Sequence, residues 1–201
     1  MTDLLLATTN RGKQAEFSRL LQGIPGRLVF PQEIGLDLDV PEPYATYAEN
    51  ATAKAAAYCR ASGLLTLADD SGIEVAALDW GPGVTTARFG GSGVTDRVGL
   101  LLDSIEGASE RAARMVCHLA LAIPAPDQGA PVIELFSGAI EGSVAAERRG
   151  SGGFGYDPIF LLPSGQTTAE LPDAAKDRIS HRGRAVAAAM PRLRELLMER
   201  A

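Results

Sequence analysis

Several stretches of this chain combine residue types that can handle phosphate or a divalent cation. Thr8-Thr9-Asn10-Arg11-Gly12-Lys13 offers hydroxyl, amide and ammonium donors ahead of a helix, whose N–H groups and positive end also suit phosphate. It lacks the glycine spacing of a Walker loop, and its Thr and Asn also fit plain helix capping. Asp69-Asp70-Ser71 places two carboxylates after an apolar run, which is costly unless a cation or hydrogen-bond donors offset their repulsion. Mg²⁺ accepts one or two such carboxylates together with phosphate oxygens and water, so Asp70 with Glu42 or Glu49 is a candidate metal site. A carboxylate there can also orient an attacking water as general base. A turn capped by Asp69 or Asp70 is the alternative.

Asn50 and Lys54 stand at i and i+4 on one helix face after Glu49, either as ligand groups or as a solvated polar stripe. Phe154-Gly155-Tyr156-Asp157 sets aromatic rings and an acid in a glycine-rich turn, able to stack on a base and bond its edge. The same residues fit a hairpin corner with aromatic core anchors. Lys176 and Ser180-His181-Arg182 add cationic donors near a helix start, for a purine carbonyl or a phosphate. His118 and Cys117 lie in an apolar strand and read as packing, and two histidines in the chain argue strongly against zinc catalysis by a histidine cluster.

These residues need elements to hold them. Residues 4–7 read as a buried strand that leads through the polar turn into a helix with Phe17, Leu20 and Leu21 on one face. A second strand is expected near 28–30, a long Ala-rich helix over 44–62 with Gly63 as C-cap, and a strand over 64–68 that the acids terminate. Thr95 can cap a helix through Ile105, and 114–123 and 132–140 read as long strands joined across the loop 124–131. Strand 159–162 follows the glycine turn. The last helix starts after Ser180, with Val186, Met190, Leu193 and Leu197 in one stripe and a kink expected at Pro191.

The 201 residues suit one domain of two lobes over 1–201, in an α/β fold with a mixed sheet. Hydrophobic residues make up 46% and charged residues 22%, which excludes disordered and fibrous classes. A formal charge of −6 argues against nucleic-acid binding, although a small anion needs only a local cluster of cations. Two cysteines, Cys59 and Cys117, suit reduced thiols. No apolar run reaches the about 20 residues of a membrane helix, and the N-terminus lacks a signal-peptide pattern, so a cytoplasmic protein without a membrane partner is expected.

Taken in order, Thr8 to Lys13, Glu49-Asn50-Ala51-Thr52-Ala53-Lys54-Ala55, Ala68-Asp69-Asp70-Ser71-Gly72, Gly153-Phe154-Gly155-Tyr156-Asp157-Pro158-Ile159-Phe160 and Ser180-His181-Arg182 closely resemble the Ham1/RdgB-type inosine triphosphate pyrophosphatases. Pro82-Gly83, Ala87-Arg88-Phe89 and Thr168-Ala169-Glu170-Leu171 extend the resemblance across nearly the whole chain. It implies an elongated, two-lobed α/β fold whose long mixed central sheet is flanked by helices, with a nucleotide cleft between the lobes. It also implies a homodimer and a Mg²⁺-dependent hydrolase that converts deaminated purine nucleotides, ITP, dITP and XTP, to the monophosphate and pyrophosphate.

Carried over residue by residue, the resemblance gives Thr8, Thr9, Asn10, Arg11, Gly12, Lys13 and Lys54 to the triphosphate. Asp70 becomes metal ligand and general base beside Ser71, and Glu42 the other metal-associated carboxylate. Phe154 falls against the purine ring, Gly155, Tyr156 and Asp157 around the base pocket, and Lys176, His181 and Arg182 near the edge that reads the 6-keto group. Thr9, Tyr47 and Thr86 are mild departures from the family pattern, and Glu147-Arg148-Arg149-Gly150 is a larger one. A Maf-like pyrophosphatase for other nucleotides is disfavoured by the Phe154 to Asp157 and His181-Arg182 motifs, and a nucleotide sensor without turnover by the intact acids.

Overall fold

A computed structural model describes residues 2–126 and 129–200. The expected loop 124–131 contains Asp127 and Gln128, which lie outside the described residues, as do the terminal Met1 and Ala201. The chain divides into two compact units.

The first unit holds the chain up to Asp70, Cys117–Gly138, and the chain from Arg182 onward. Strand β1 (Asp3–Leu6) runs into helix α1 (Arg11–Leu20), and Asn10 is the N-cap, its side chain accepting the Lys13 N–H at 3.1 Å. Residues of a strand alternate between faces, so Leu4 and Leu6 point one way and Leu5 and Ala7 the other. Leu4 and Leu6 pack with Phe17 of α1, Leu67 of β3 (Leu65–Val75), and Val186 and Leu193 of α5 (His181–Glu199). Leu5 and Ala7 pack with Ala51, Ala55 and Tyr58 of α2 (Tyr47–Ser62). This unit is therefore a layer of strands between α1 and α5 on one side and α2 on the other, as an α/β sequence requires.

Helix α2 starts at Tyr47, three residues later than the expected 44, because Thr46 caps it by accepting the Glu49 N–H at 3.2 Å. Its end is as expected, with Gly63 at φ 71°. Strand β3 is the main correction. It does not stop at the acids but continues through Asp69 and Asp70 to Val75. In α5 the expected stripe is packed, with Val186, Leu193 and Leu197 buried and Met190 beside them, and the helix runs on through Pro191.

The second unit holds Ser71–Val116 and Ala139–His181. Its core gathers Ile73 and Val75 of β3, Leu101 of α3 (Arg97–Ser104), Met115 of β5 (Ala112–Ile123), Ile140 of β6 (Val132–Val144), Tyr156 and Phe160. Asp96 rather than Thr95 caps α3, since its carboxylate accepts the Gly99 N–H at 2.9 Å. The expected strand 159–162 shrinks to β7 (Phe160–Leu161), because Asp157–Ile159 turn as a 3₁₀ segment. A short helix that was not expected, α4 (Asp173–Ile179), ends at Ser180, so Ser180 separates two helices. With β2 (Arg27–Val29) and β4 (Gly81–Pro82), the strand order is β2-β1-β3-β5-β6-β7, and β4 lies on β3. Strand β1 is parallel to β2 and β3, whereas β4 is antiparallel to β3 and β7 to β6, which makes the expected mixed sheet.

Candidate active site

Strand β3 delivers both acids, and the pleat separates them. Asp70 is turned toward α2, where Asn50 donates from Nδ2 to its Oδ2 at 3.0 Å. The same Asn50 accepts the Tyr44 N–H at 3.1 Å, so one amide ties Asp70 to the segment that carries Glu42. Burial raises the Asp70 carboxyl above its ordinary pKa against the hydrogen bond from Asn50, and the negative charge of Glu42 adds to the rise. Lys54, one turn after Asn50, forms an ion pair with Glu42. Burial opposes the Lys54 charge, but Asp69, Glu42 and Asp70 together outweigh it and hold its pKa above the usual value.

Asp69 is fully buried and meets the α1 and α5 layer. Lys13 Nζ lies 2.9 Å from its Oδ2 and Arg182 Nε 3.6 Å away. Burial alone would raise the Asp69 pKa, yet Lys13, Arg182 and Lys54 hold it far below the usual carboxylate range. Arg182 also donates from Nη1 to the buried Glu16 at 2.9 Å, and these two acids keep its pKa raised despite burial. The resemblance assigns Arg182 to the base edge; in the structure its guanidinium lies between Asp69 and Glu16. Cys117 is buried beside this cluster, and burial followed by the Asp69 charge pushes its thiol far up, so it packs as expected.

The phosphate-type turn is built from its own caps. Thr8 Oγ1 accepts the Asn10 N–H at 3.2 Å, and the Thr8 carbonyl accepts Gln14 Nε2 at 2.9 Å. The capping alternative is thus realised, with Thr8 and Asn10 both used within the turn. Thr9, Asn10 and Arg11 remain exposed, Gly12 and Lys13 half-buried, at the positive end of α1.

In the second unit, Phe154, Asp157 and Lys176 come together. The buried Asp157 accepts the Phe154 N–H at 2.7 Å, Lys176 Nζ at 2.5 Å and Thr168 Oγ1 at 2.8 Å. Lys176 Nζ stands 5.6 Å from the centre of the Phe154 ring. Gly153, at φ 69°, permits this: a Cβ there would fall 2.0 Å from Asp157 Oδ2 and 2.8 Å from Lys176 Nζ. Gly155 is also left-handed, φ 60°, but nothing crowds it. Tyr156 is a core anchor, its hydroxyl donating to the Thr86 carbonyl at 3.3 Å and pushed up to about 12 by burial. Ser71 is the half-buried residue after Asp70, and His181 is buried at the start of α5.

Reasoning from sequence missed the tasks of Asn50, Glu16, Thr168 and Gly153. Asn50 and Glu16 had a signal, since each lies one helical turn from a candidate lysine, Asn50 four residues before Lys54 and Glu16 three after Lys13. Thr168 stood out only as part of a motif of the resemblance, since nothing local tied it to Asp157 eleven residues earlier.

Glu42 and Asp70 suit a hard divalent cation. Their oxygens are the donors Mg²⁺ prefers, their mutual repulsion is visible in Asp70, and a cation, the Lys54 ammonium, already sits against Glu42. Among the described residues no three His, Cys, Asp or Glu side chains form a ready-made metal cluster.

A buried acid held by a helix amide, with the Lys54 and Lys13 ammonium groups in its field, is the equipment of a phosphate-processing protein, and residues 4–192 match the Ham1 family, to which this chain belongs. Its relatives include the dITP/XTP pyrophosphatase of Symbiobacterium thermophilum, 44% identical over 98% of this chain and 97% of that protein. The dITP/XTP pyrophosphatase of Chromobacterium violaceum is 45% identical over 96% and 98%. Among solved structures, a HAM1 protein from Coxiella burnetii has TM-score 0.81 and 39% identity over 99% of this chain and 100% of that one.

Proposed function

We propose that this chain hydrolyses deaminated purine nucleoside triphosphates, dITP, ITP and XTP, to the monophosphate and pyrophosphate with Mg²⁺ held by Glu42 and Asp70. Asp70 carries the reading: a buried carboxylate, aimed by Asn50 and flanked by Glu42 and Lys54. The names of its relatives point to dITP and XTP. When bound, Mg²⁺ supplies neutralising charge to the phosphates and ligand sites that align them. Ionised Asp70 accepts a proton from a water whose oxygen bonds to the α-phosphorus, while the bond from that phosphorus to the bridging oxygen breaks and pyrophosphate leaves. Lys13 and Lys54 take up the charge that develops on the leaving oxygens, with Thr8 to Gly12 and Ser71 lining the polyphosphate. Phe154 stacks on the purine, and the Lys176 and His181 region reads the 6-keto edge as a hydrogen-bond donor.

In this reading the protein is a cytoplasmic homodimer without nucleic-acid or membrane partners. A formal net charge of −6 supports the lack of nucleic acid. No helix of the described residues is long and apolar enough to cross a membrane. The test is turnover with Mg²⁺ on ITP, dITP, XTP, GTP, ATP and dTTP, with pyrophosphate and inorganic phosphate measured separately. Selective pyrophosphate release from the first three supports the assignment; release of inorganic phosphate means attack at the γ-position and sinks it.

A further inference from the structure

The charges around β3 satisfy one another before any ligand arrives. Lys13 stands on Asp69, Arg182 bridges Asp69 and Glu16, and Lys54 stands on Glu42 with Asp69 and Asp70 in its field. Both lysines needed for phosphate are therefore held by carboxylates, and one of those carboxylates is a cation donor. Helix α2 is pinned by the bond from Asn50 to Asp70 and by the Asn50 contact to Tyr44, so Lys54 can change partner by side-chain rotation alone. Its side chain is 15% exposed, enough to reach a ligand at the surface of the cluster.

We propose that Lys54 is an internal counter-cation of the metal site, neutralising Glu42 until Mg²⁺ and nucleotide arrive and then transferring to the polyphosphate, so that metal and nucleotide bind synergistically. A divalent ion arriving alone must displace the ammonium from Glu42 and leave it beside a +2 charge with no new anion to meet. A nucleotide arriving alone must draw Lys54 away and leave Glu42 and Asp70 facing further negative charge. Together, the ion takes the carboxylates and the phosphates take the ammonium. By linkage the gain is reciprocal, each ligand tightening the other by the same factor. This rests on Glu42 and Asp70 being the cation donors.

The experiment uses the full chain and two probes, Mn²⁺ followed by electron paramagnetic resonance and the α,β-imido analogue of ITP followed by calorimetry, each alone and both together. In the wild type each probe is expected to tighten the other about tenfold or more. K54M and K54Q, checked for folding by circular dichroism, are expected to bind Mn²⁺ alone several-fold more tightly than the wild type, and to lose most of the synergy. E42Q is expected to weaken Mn²⁺ binding. If E42Q weakens it while K54M and K54Q bind Mn²⁺ alone no better than the wild type, the counter-cation role is overturned and the donor assignment stands. Mn²⁺ binding indifferent to both E42Q and D70N overturns the donor assignment and this role with it. An independent readout in the wild type is acetylation of Lys54 by mass spectrometry, which saturating Mg²⁺ should accelerate; unchanged labelling also overturns the role.

Discussion

Asp69 and Asp70 are neighbours in β3 yet take their nearest partners from opposite helical layers, Lys13 of α1 and Arg182 of α5 for the first, Asn50 of α2 for the second. Their chemistries diverge accordingly. Asp69 is held ionised by cations, whereas Asp70 is pushed toward its neutral form by burial and by Glu42.

D70N is expected to reduce turnover by about 10²–10⁴-fold, the range for loss of a general base, without unfolding the protein. The sign for stability is the reverse of the usual loss. A carboxyl whose folded pKa is raised is less at ease charged in the native protein than in the unfolded chain, so above that pKa an amide relieves a cost. The melting temperature of D70N at pH 7 should equal or exceed that of the wild type. A marked fall in melting temperature would contradict this account of Asp70.

D69N should do the opposite. It leaves Lys13 and the buried Arg182 short of a counter-charge, and breaking such a pair costs about 3–5 kcal/mol. Because the folded pKa of Asp69 is lowered, its stabilisation is complete above the unfolded value near 3.8 and is lost as pH falls through the folded value. Urea unfolding of wild type and D69N should differ by a constant amount above pH 3.8, and the gap should shrink steadily as pH falls below that value toward the folded one. A gap that does not shrink over that range would exclude charge as its source.

Asn50 opposes the rise in the Asp70 pKa by donating to its carboxylate. In N50A the acid limb of the kcat against pH profile should therefore move to higher pH, since the base then loses its proton later on the way up. The Glu42 segment loses its tether as well, and the Mg²⁺ concentration for half-maximal rate should increase. An unmoved acid limb with reduced kcat would make Asn50 a packing residue only.

Two left-handed glycines separate space from backbone conformation. G155A places a side chain at φ 60° in open surroundings and should cost about 1–2 kcal/mol. G153A carries the same conformational cost and also drives a methyl group into Asp157 and Lys176. Chemical denaturation should show G153A as clearly the less stable, and comparable losses would mean that the buried pair yields readily.

The polar turn at α1, the capped α2, the buried β1 and the last helix were legible because caps and apolar spacing are local signals. Asp70, Lys54, Lys13 and Glu42 stood out by type, and the structure gathers them in one unit. What stayed hidden depends on distant partners. The acids read as the end of a strand because two carboxylates rarely sit inside one, and the groups that make it tolerable, among them Lys13, Asn50, Lys54 and Arg182, lie far away in sequence. Helix α4 is short and polar outside, and its purpose, burying Lys176 against Asp157, is written nowhere near it. Thr95 and Asp96 are both good caps by composition, and the choice between them fell to which oxygen reaches Gly99.

The alternation of β3 also gives the cluster a parity. Inserting or deleting one residue between Gly63 and Asp69 would leave composition and hydrophobicity almost unchanged but turn each acid to the opposite face, taking Asp69 away from Lys13 and Arg182 and Asp70 away from Asn50. Substitutions along this strand can be absorbed by degrees, whereas a length change is all or nothing. The segment is therefore a poor place for drift in length and a good one for tuning each acid separately, because the side chains that set one lie in a different layer from those that set the other.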